Sequence, residues 1–165
     1  MTTQLSTKPI KRQKGLLRFS QDHHYGLLLV WKIRTGIRKK IVPERIANFC
    51  QFFFDHDLQK HFEEEELHLF SKLEADNPMR QQALKDHEHI GGLFGKLRAG
   101  EHHVALLNEL ADTLEQHIRY EERTLFNELQ LKLSDDELAE LAKIHNSKAQ
   151  DVSEQWDDKF WELKK

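Results

Sequence analysis

Two stretches of this chain carry the same chemistry-bearing pattern. His61-Phe-Glu-Glu-Glu65-Glu66-Leu-His-Leu69-Phe70 and His117-Ile-Arg-Tyr-Glu121-Glu122-Arg-Thr-Leu125-Phe126 share His-x-x-x-Glu-Glu-x-x-Leu-Phe without a gap. On an α-helix, residues four apart lie within about 40° of one another, one turn apart along the axis. A neutral imidazole and a carboxylate placed this way are ligands for a divalent cation. Spacing alone leaves Glu64 and Glu65 open as the partner of His61. The repeat selects Glu65, because Glu63 and Glu64 are replaced by Arg119 and Tyr120 in the second copy, whereas Glu65 and Glu66 are matched by Glu121 and Glu122. Glu66 and Glu122 fall about 140° from their histidines and read as neighbours of the site or surface groups. Glu63 and Glu64 read as solvated helix surface.

Both motifs interrupt an apolar stripe. One row runs Leu58, His61 with Phe62, Glu65, Leu69, Leu73; the other runs Leu110, Leu114, His117 with Ile118, Glu121, Leu125, Leu129. Upstream of each copy sits a shorter echo, Asp22-His23-His24-Tyr-Gly-Leu27 and Asp86-His87-Glu88-His89-Ile90. A stripe of Leu17, His24, Leu27 with Leu28, and Trp31 selects His24. His23, with Gly26 at plus three, stays open through Leu27 and Val30. A stripe of Leu84, His87, Ile90, Phe94 and Leu97 selects His87 over His89. Four imidazoles and two carboxylates are thus aimed at one interior. Burying two unpaired carboxylates would consume most of a domain stability of about 5 to 15 kcal/mol. A bound metal removes that penalty, and six ligands without sulfur exceed what a tetrahedral zinc site uses.

The elements that must position these residues are helices. Pro43 and Pro78 suit first-turn positions, Asn77 suits an N-cap, Gly100 a C-terminal stop, and Ser134 with Glu137 a capping box. The expected helices cover about 18–40, 43–75, 78–99, 102–132 and 134–162. The fold class expected is all-α, an up-down-up-down four-helix bundle with an additional C-terminal helix packed outside through Trp156, Phe160 and Trp161. The organisation expected is a flexible basic arm over 1–15, a metal-binding bundle over 16–132 and the packed C-terminal helix over 133–165.

Bulk properties set bounds. With 165 residues, 38% hydrophobic and 32% charged, the chain suits one domain with a core of its own. A net charge of −3 gives no reason to expect nucleic acid or an anionic membrane. The single cysteine, Cys50, excludes an intramolecular disulfide and reads as a buried inert thiol. No apolar run approaches a membrane span and the start lacks the apolar core of a signal peptide, so a cytoplasmic protein is expected.

The stretches "DHHYGLLLVWKIR", "HFEEEELHLF", "DHEHI" and "HIRYEERTLF" resemble the hemerythrin-like HHE cation-binding domain over about residues 16 to 130. The resemblance implies a bundle holding two iron ions, oxo- or hydroxo-bridged, with His24, His61, Glu65, His87, His117 and Glu121 as ligands. Zinc or manganese would be alternative metals. It further implies a small ligand such as oxygen, peroxide or nitric oxide. The chain departs from oxygen-carrying hemerythrin in that Gly91, not histidine, follows His87 by four, and Glu121 follows His117 by four rather than an aspartate by five. A binding or sensing protein is expected ahead of a di-iron peroxidase or oxidase, with a structural bundle holding adventitious zinc as a third reading. No protein partner is indicated. Gly91 and Gly92 are expected either to leave room for a small ligand or to mark a bend or close helix contact. His56, His68, His102, His103 and His145 read as lying off the ligand rows.

Overall fold

The computed structural model describes residues 12–145 and 149–163 of the chain. Every regular element among the described residues is helical. Helix α1 spans Lys14–Arg38. The second rod is α2, Pro43–Phe53, and α3, Gln59–His68, joined without a break by a π-turn at Phe54–Leu58. Helix α4 spans Pro78–Arg98. The fourth rod is α5, Val104–Tyr120, and α6, Phe126–Lys132, joined by a π-turn at Glu121–Leu125. A short α7, Asp135–Ala142, follows and packs along α1. No helix among the described residues is long and apolar enough to cross a membrane.

Local chemistry sets the boundaries. Pro43 and Pro78 occupy first turns, where a missing N–H costs nothing. Asn77 Oδ1 accepts from the Met79 amide at 2.8 Å, and Ser134 with Glu137 closes a reciprocal capping box. His103 Nδ1 accepts from the Leu106 amide at 3.2 Å, which makes the "EHH" histidine a helix cap. Gly100 ends the α4 turn with φ +95°, a conformation that favours glycine.

Two expectations about the ends change. The arm expected over 1–15 lies outside the described residues up to residue 11, and α1 already begins at Lys14. Of the long C-terminal helix expected over 134–162, residues 146–148 lie outside the described residues; among the described ones, α7 is followed by a 3-10 turn at Val152–Gln155. Asp151 accepts from the Ser153 amide at 3.0 Å and caps that 3-10 turn. The aromatic residues expected to anchor this end still do so. Trp161 lies 4.8 Å from Phe49 and Trp156 4.8 Å from Phe52, ring to ring, and the Lys32 ammonium sits 4.3 Å over Trp161.

The core consists of two apolar clusters. One gathers Leu29, Ile33, Phe49, Ile90, Phe94 and Leu114; the other gathers Leu16, Phe19, Phe70, Leu125, Phe126 and Leu129. On each of the four rods a polar residue interrupts the apolar row between these clusters. That band is the site.

Candidate metal centre

Helix α1 supplies His23, α3 supplies His61 and Glu65, α4 supplies His87, α5 supplies His117, and Glu121 opens the following π-turn. All six side chains are buried, Glu65 and Glu121 completely. The Nε2 atoms of the four histidines converge on the two carboxylates. His61 Nε2 is 3.2 Å from Glu65 Oε2, His87 Nε2 3.1 Å from Glu65 Oε1, and His117 Nε2 2.5 Å from Glu121 Oε1. His23 Nε2 lies between the carboxylates, 3.4 Å from Glu65 and 3.6 Å from Glu121.

The opposite ring nitrogens are all engaged. His61 Nδ1 is 3.1 Å from Asp22 and His117 Nδ1 3.0 Å from Asp86; His23 Nδ1 is 2.7 Å from Glu122 and His87 Nδ1 2.9 Å from Glu66. The four contacts obey one exchange. Swapping Asp22 with Asp86, His23 with His87, His61 with His117, Glu65 with Glu121 and Glu66 with Glu122 maps the set onto itself. Each aspartate thus orients the histidine of its own half, and each second glutamate orients a histidine of the other half. On a neutral imidazole, a carboxylate on Nδ1 fixes the tautomer, leaves the Nε2 lone pair free for a cation, and raises its basicity.

Those free atoms have nowhere to go within the protein. Nε2 of His23, His61, His87 and His117 and both oxygens of Glu65 and Glu121 are buried without a hydrogen-bond partner. Eight orphaned polar atoms at one point would cost several kcal/mol in total. They form two groups suited to a cation, Glu65, His87, His117 and Glu121, and His23, His61 and Glu65, so that Glu65 is common to both. The donor set of imidazole and carboxylate fits metal ions.

Titration behaviour agrees with a site built for positive charge. Burial would push the His61 imidazole down, but the Glu65 charge and the Asp22 hydrogen bond outweigh it and hold it at about 10. Burial likewise disfavours charged His117, yet Glu121 and Asp86 hold it at about 9. Glu65, which burial would raise, is held well below the carboxylate range by the charge of His61, with Glu121 and His23 beside it. Cys50 lies in the apolar core, and burial pushes its thiol up.

A helical bundle with this buried His/Glu cluster belongs to a class built to hold cations. The chain belongs to the hemerythrin HHE cation binding domain family, whose profile matches residues 18–129. No curated protein and no solved structure matches the chain.

Five of the six residues selected from the sequence meet in this cluster, and His24 does not. His24 is exposed and lies edge-on to Tyr25, and the ring beside it in sequence, His23, takes the place in the site. The stripe that selected His24 is the outward one: Leu17 is 43% and Trp31 49% exposed. The inward row is shifted by one residue, Leu16, Phe19, His23, Gly26, Val30 and Ile33. Gly26 reads as a gap in an apolar pattern, yet it marks the close approach of α1 to α5, where a Cβ would meet Ile118 Cδ1 at 2.7 Å. The echo Asp22-His23 against Asp86-His87 carried the correct register.

His89 is exposed near Glu109. Glu64 is half-buried and not free surface, since it pairs with His145 Nε2 at 2.6 Å. Asp22 and Asp86 were given no role by their sequence positions, although each immediately precedes a site histidine.

Proposed function

We propose that this chain is a non-haem di-iron protein that binds or senses oxygen or a related small ligand, on an up-down-up-down bundle, in the cytoplasm. The observation that carries the reading is the convergence of eight partnerless buried donor atoms from six residues. His23 and His61 would hold one ion and His87 and His117 the other, with Glu65 shared and Glu121 completing the set. Iron bound there supplies a redox-active centre with affinity for oxygen, peroxide or nitric oxide. The chain's own contribution is orientation and exclusion of water. Phe62 stacks on the His87 ring at 3.8 Å and Phe126 on the His23 ring at 5.1 Å, packing an aromatic face against one histidine of each half.

A groove of about 410 Å³, lined by residues including Phe54, Phe62, Glu66, Leu84, His87 and Gly91, opens beside His87. A Cβ at Gly91 would meet nothing within 4 Å, so glycine here widens the approach to that ring. This supports entry of a small ligand from the His87 side. Binding is favoured over turnover because the four carboxylates around the ligand set, Asp22, Glu66, Asp86 and Glu122, are each committed to a site histidine.

The test is anaerobic reconstitution with ferrous iron, followed by metal analysis and an optical spectrum in air. About two irons per chain with near-ultraviolet charge-transfer bands is the expected result, as in His/carboxylate bundles. Stoichiometric zinc with no iron uptake would overturn it.

A further inference from the structure

The two halves of the centre follow one exchange in their ligands but not in what surrounds them. Aligned on Asp22-His23 and Asp86-His87, Arg18 corresponds to Gln82 and Ser20 to Leu84. Arg18 Nε donates to Asp22 Oδ1 at 3.2 Å, and Gln82 Nε2 donates to Asp86 Oδ1 at 2.8 Å. The same position holds each aspartate, once with a cation and once with a neutral amide. Ser20 Oγ reaches both oxygens of Glu122, at 3.1 and 2.8 Å, whereas Leu84 has no donor to offer Glu66.

Arg12 adds to the imbalance. Its side chain is only 8% exposed, its Nε lies 3.5 Å from Glu122 Oε1, and its guanidinium also donates to the Glu122 carbonyl and to Asn127 Oδ1. Among the described residues, Glu66 and Asp86 have no ion-pair partner except the histidines they orient, and the Glu66 side chain is 44% exposed.

A carboxylate on Nδ1 strengthens imidazole as a donor, and pairing that carboxylate with a guanidinium withdraws part of the effect. A fixed positive charge, little screened where water is excluded, also disfavours the more highly charged state of a neighbouring ion. Both effects act in one direction, on the His23 and His61 half.

We propose that the two metal positions are unequal, that the ion held by His23 and His61 is the one that stays ferrous when the pair holds one ferrous and one ferric ion, and that Arg12 and Arg18 set the difference. The inference rests on the di-iron reading above. The state forms when each dithionite, oxidised with water to two sulfites, gives one electron to each of two centres, reducing one of the two ferric ions in each.

The test uses two substitutions that narrow the difference between the halves while Arg12 stays on Glu122, Arg18→Gln and Gln82→Arg, the latter at an exposed position on α4. Iron-loaded wild type and variants are titrated with dithionite, following iron per chain, midpoint potentials, and the electron-paramagnetic-resonance signal of the half-reduced pair. Wild type is expected to show that signal. Both variants are expected to keep their iron and to show a weaker signal at half-reduction than wild type, with the mean midpoint moving down in Arg18→Gln and up in Gln82→Arg. Signal unchanged in both, midpoints moving the same way, or no signal in iron-loaded wild type would overturn the inequality while leaving the di-iron reading standing. Failure of wild type to take up iron would overturn both.

Discussion

His23 Nδ1 and Glu122 Oε2 are 2.7 Å apart, and they come from opposite halves of the internal repeat. The contact ties the first helix to the second copy of the motif, as His87 to Glu66 at 2.9 Å ties the third helix to the first copy. The second glutamate of each His-x-x-x-Glu-Glu therefore braces the other half, and this crossing makes one site of two helix pairs.

His23→Ala is expected to lower bound metal from about two ions per chain to about one, because it removes one imidazole from a group of three ligands. His24→Ala, at an exposed ring, is expected to leave metal content unchanged. Metal analysis of the two purified variants side by side checks this, and equal loss in both would return His24 to the site.

Asp86→Asn keeps the shape beside His117 but removes the carboxylate charge 3.0 Å from its Nδ1. Metal affinity is expected to fall about 10- to 100-fold while the fold persists. Competition with a chromophoric chelator reads the affinity directly.

The metal-free protein is expected to lose stability as pH rises from near neutrality to about 10. His61 is held up at about 10 and His117 at about 9, against an ordinary 6.5 in the unfolded chain. Their folded-state advantage is complete below pH 6.5 and disappears as pH passes through the folded values. Metal replaces those protons, so uptake is expected to release protons and the metal-loaded protein to be flatter over the same range. Urea denaturation at pH 6, 8 and 10, with and without metal, tests the sign.

Two glycines should respond oppositely to alanine. Gly15→Ala drives a methyl into the backbone carbonyl of Leu138, which cannot turn aside, and overpacking of this kind costs about 1 to 3 kcal/mol. Gly91→Ala meets nothing within 4 Å and removes a helix-interior glycine, worth a gain of about 0.5 to 1 kcal/mol. The same substitution narrows the groove beside His87 and is expected to slow ligand binding. Denaturant midpoints and stopped-flow binding separate the two effects.

Much of this centre was legible in the residues. Glu65 is distinguishable from its three neighbouring glutamates only through Glu121, 56 positions away. The rows through Leu58 to Leu73 and Leu110 to Leu129 are the buried rows, because leucine at helical spacing reports burial well. Helix α1 misled for a physical reason. It carries apolar residues on both faces, and its buried row includes Gly26, packed against Ile118, which no hydrophobicity pattern scores. The C-terminal segment misled differently: its aromatic residues do pack, but α7 ends at Ala142 and Asp151 caps only a 3-10 turn at Val152–Gln155. Arg12 left no signal in spacing, since its partners Glu122 and Asn127 lie in the other half of the repeat, whereas Arg18 stands four residues before Asp22 on one helix, a pair legible only once Asp22 has a role.

Anomalous diffraction from crystals grown with iron tests the central claim most directly. Two peaks are expected between Glu65 and Glu121, one within about 2.0 to 2.3 Å of His23 and His61 nitrogens and the other equally close to those of His87 and His117, at ordinary ligand distances. A single peak, or iron bound at exposed His24 or at the His102 and His103 turn instead, would contradict a two-ion centre built from these six residues.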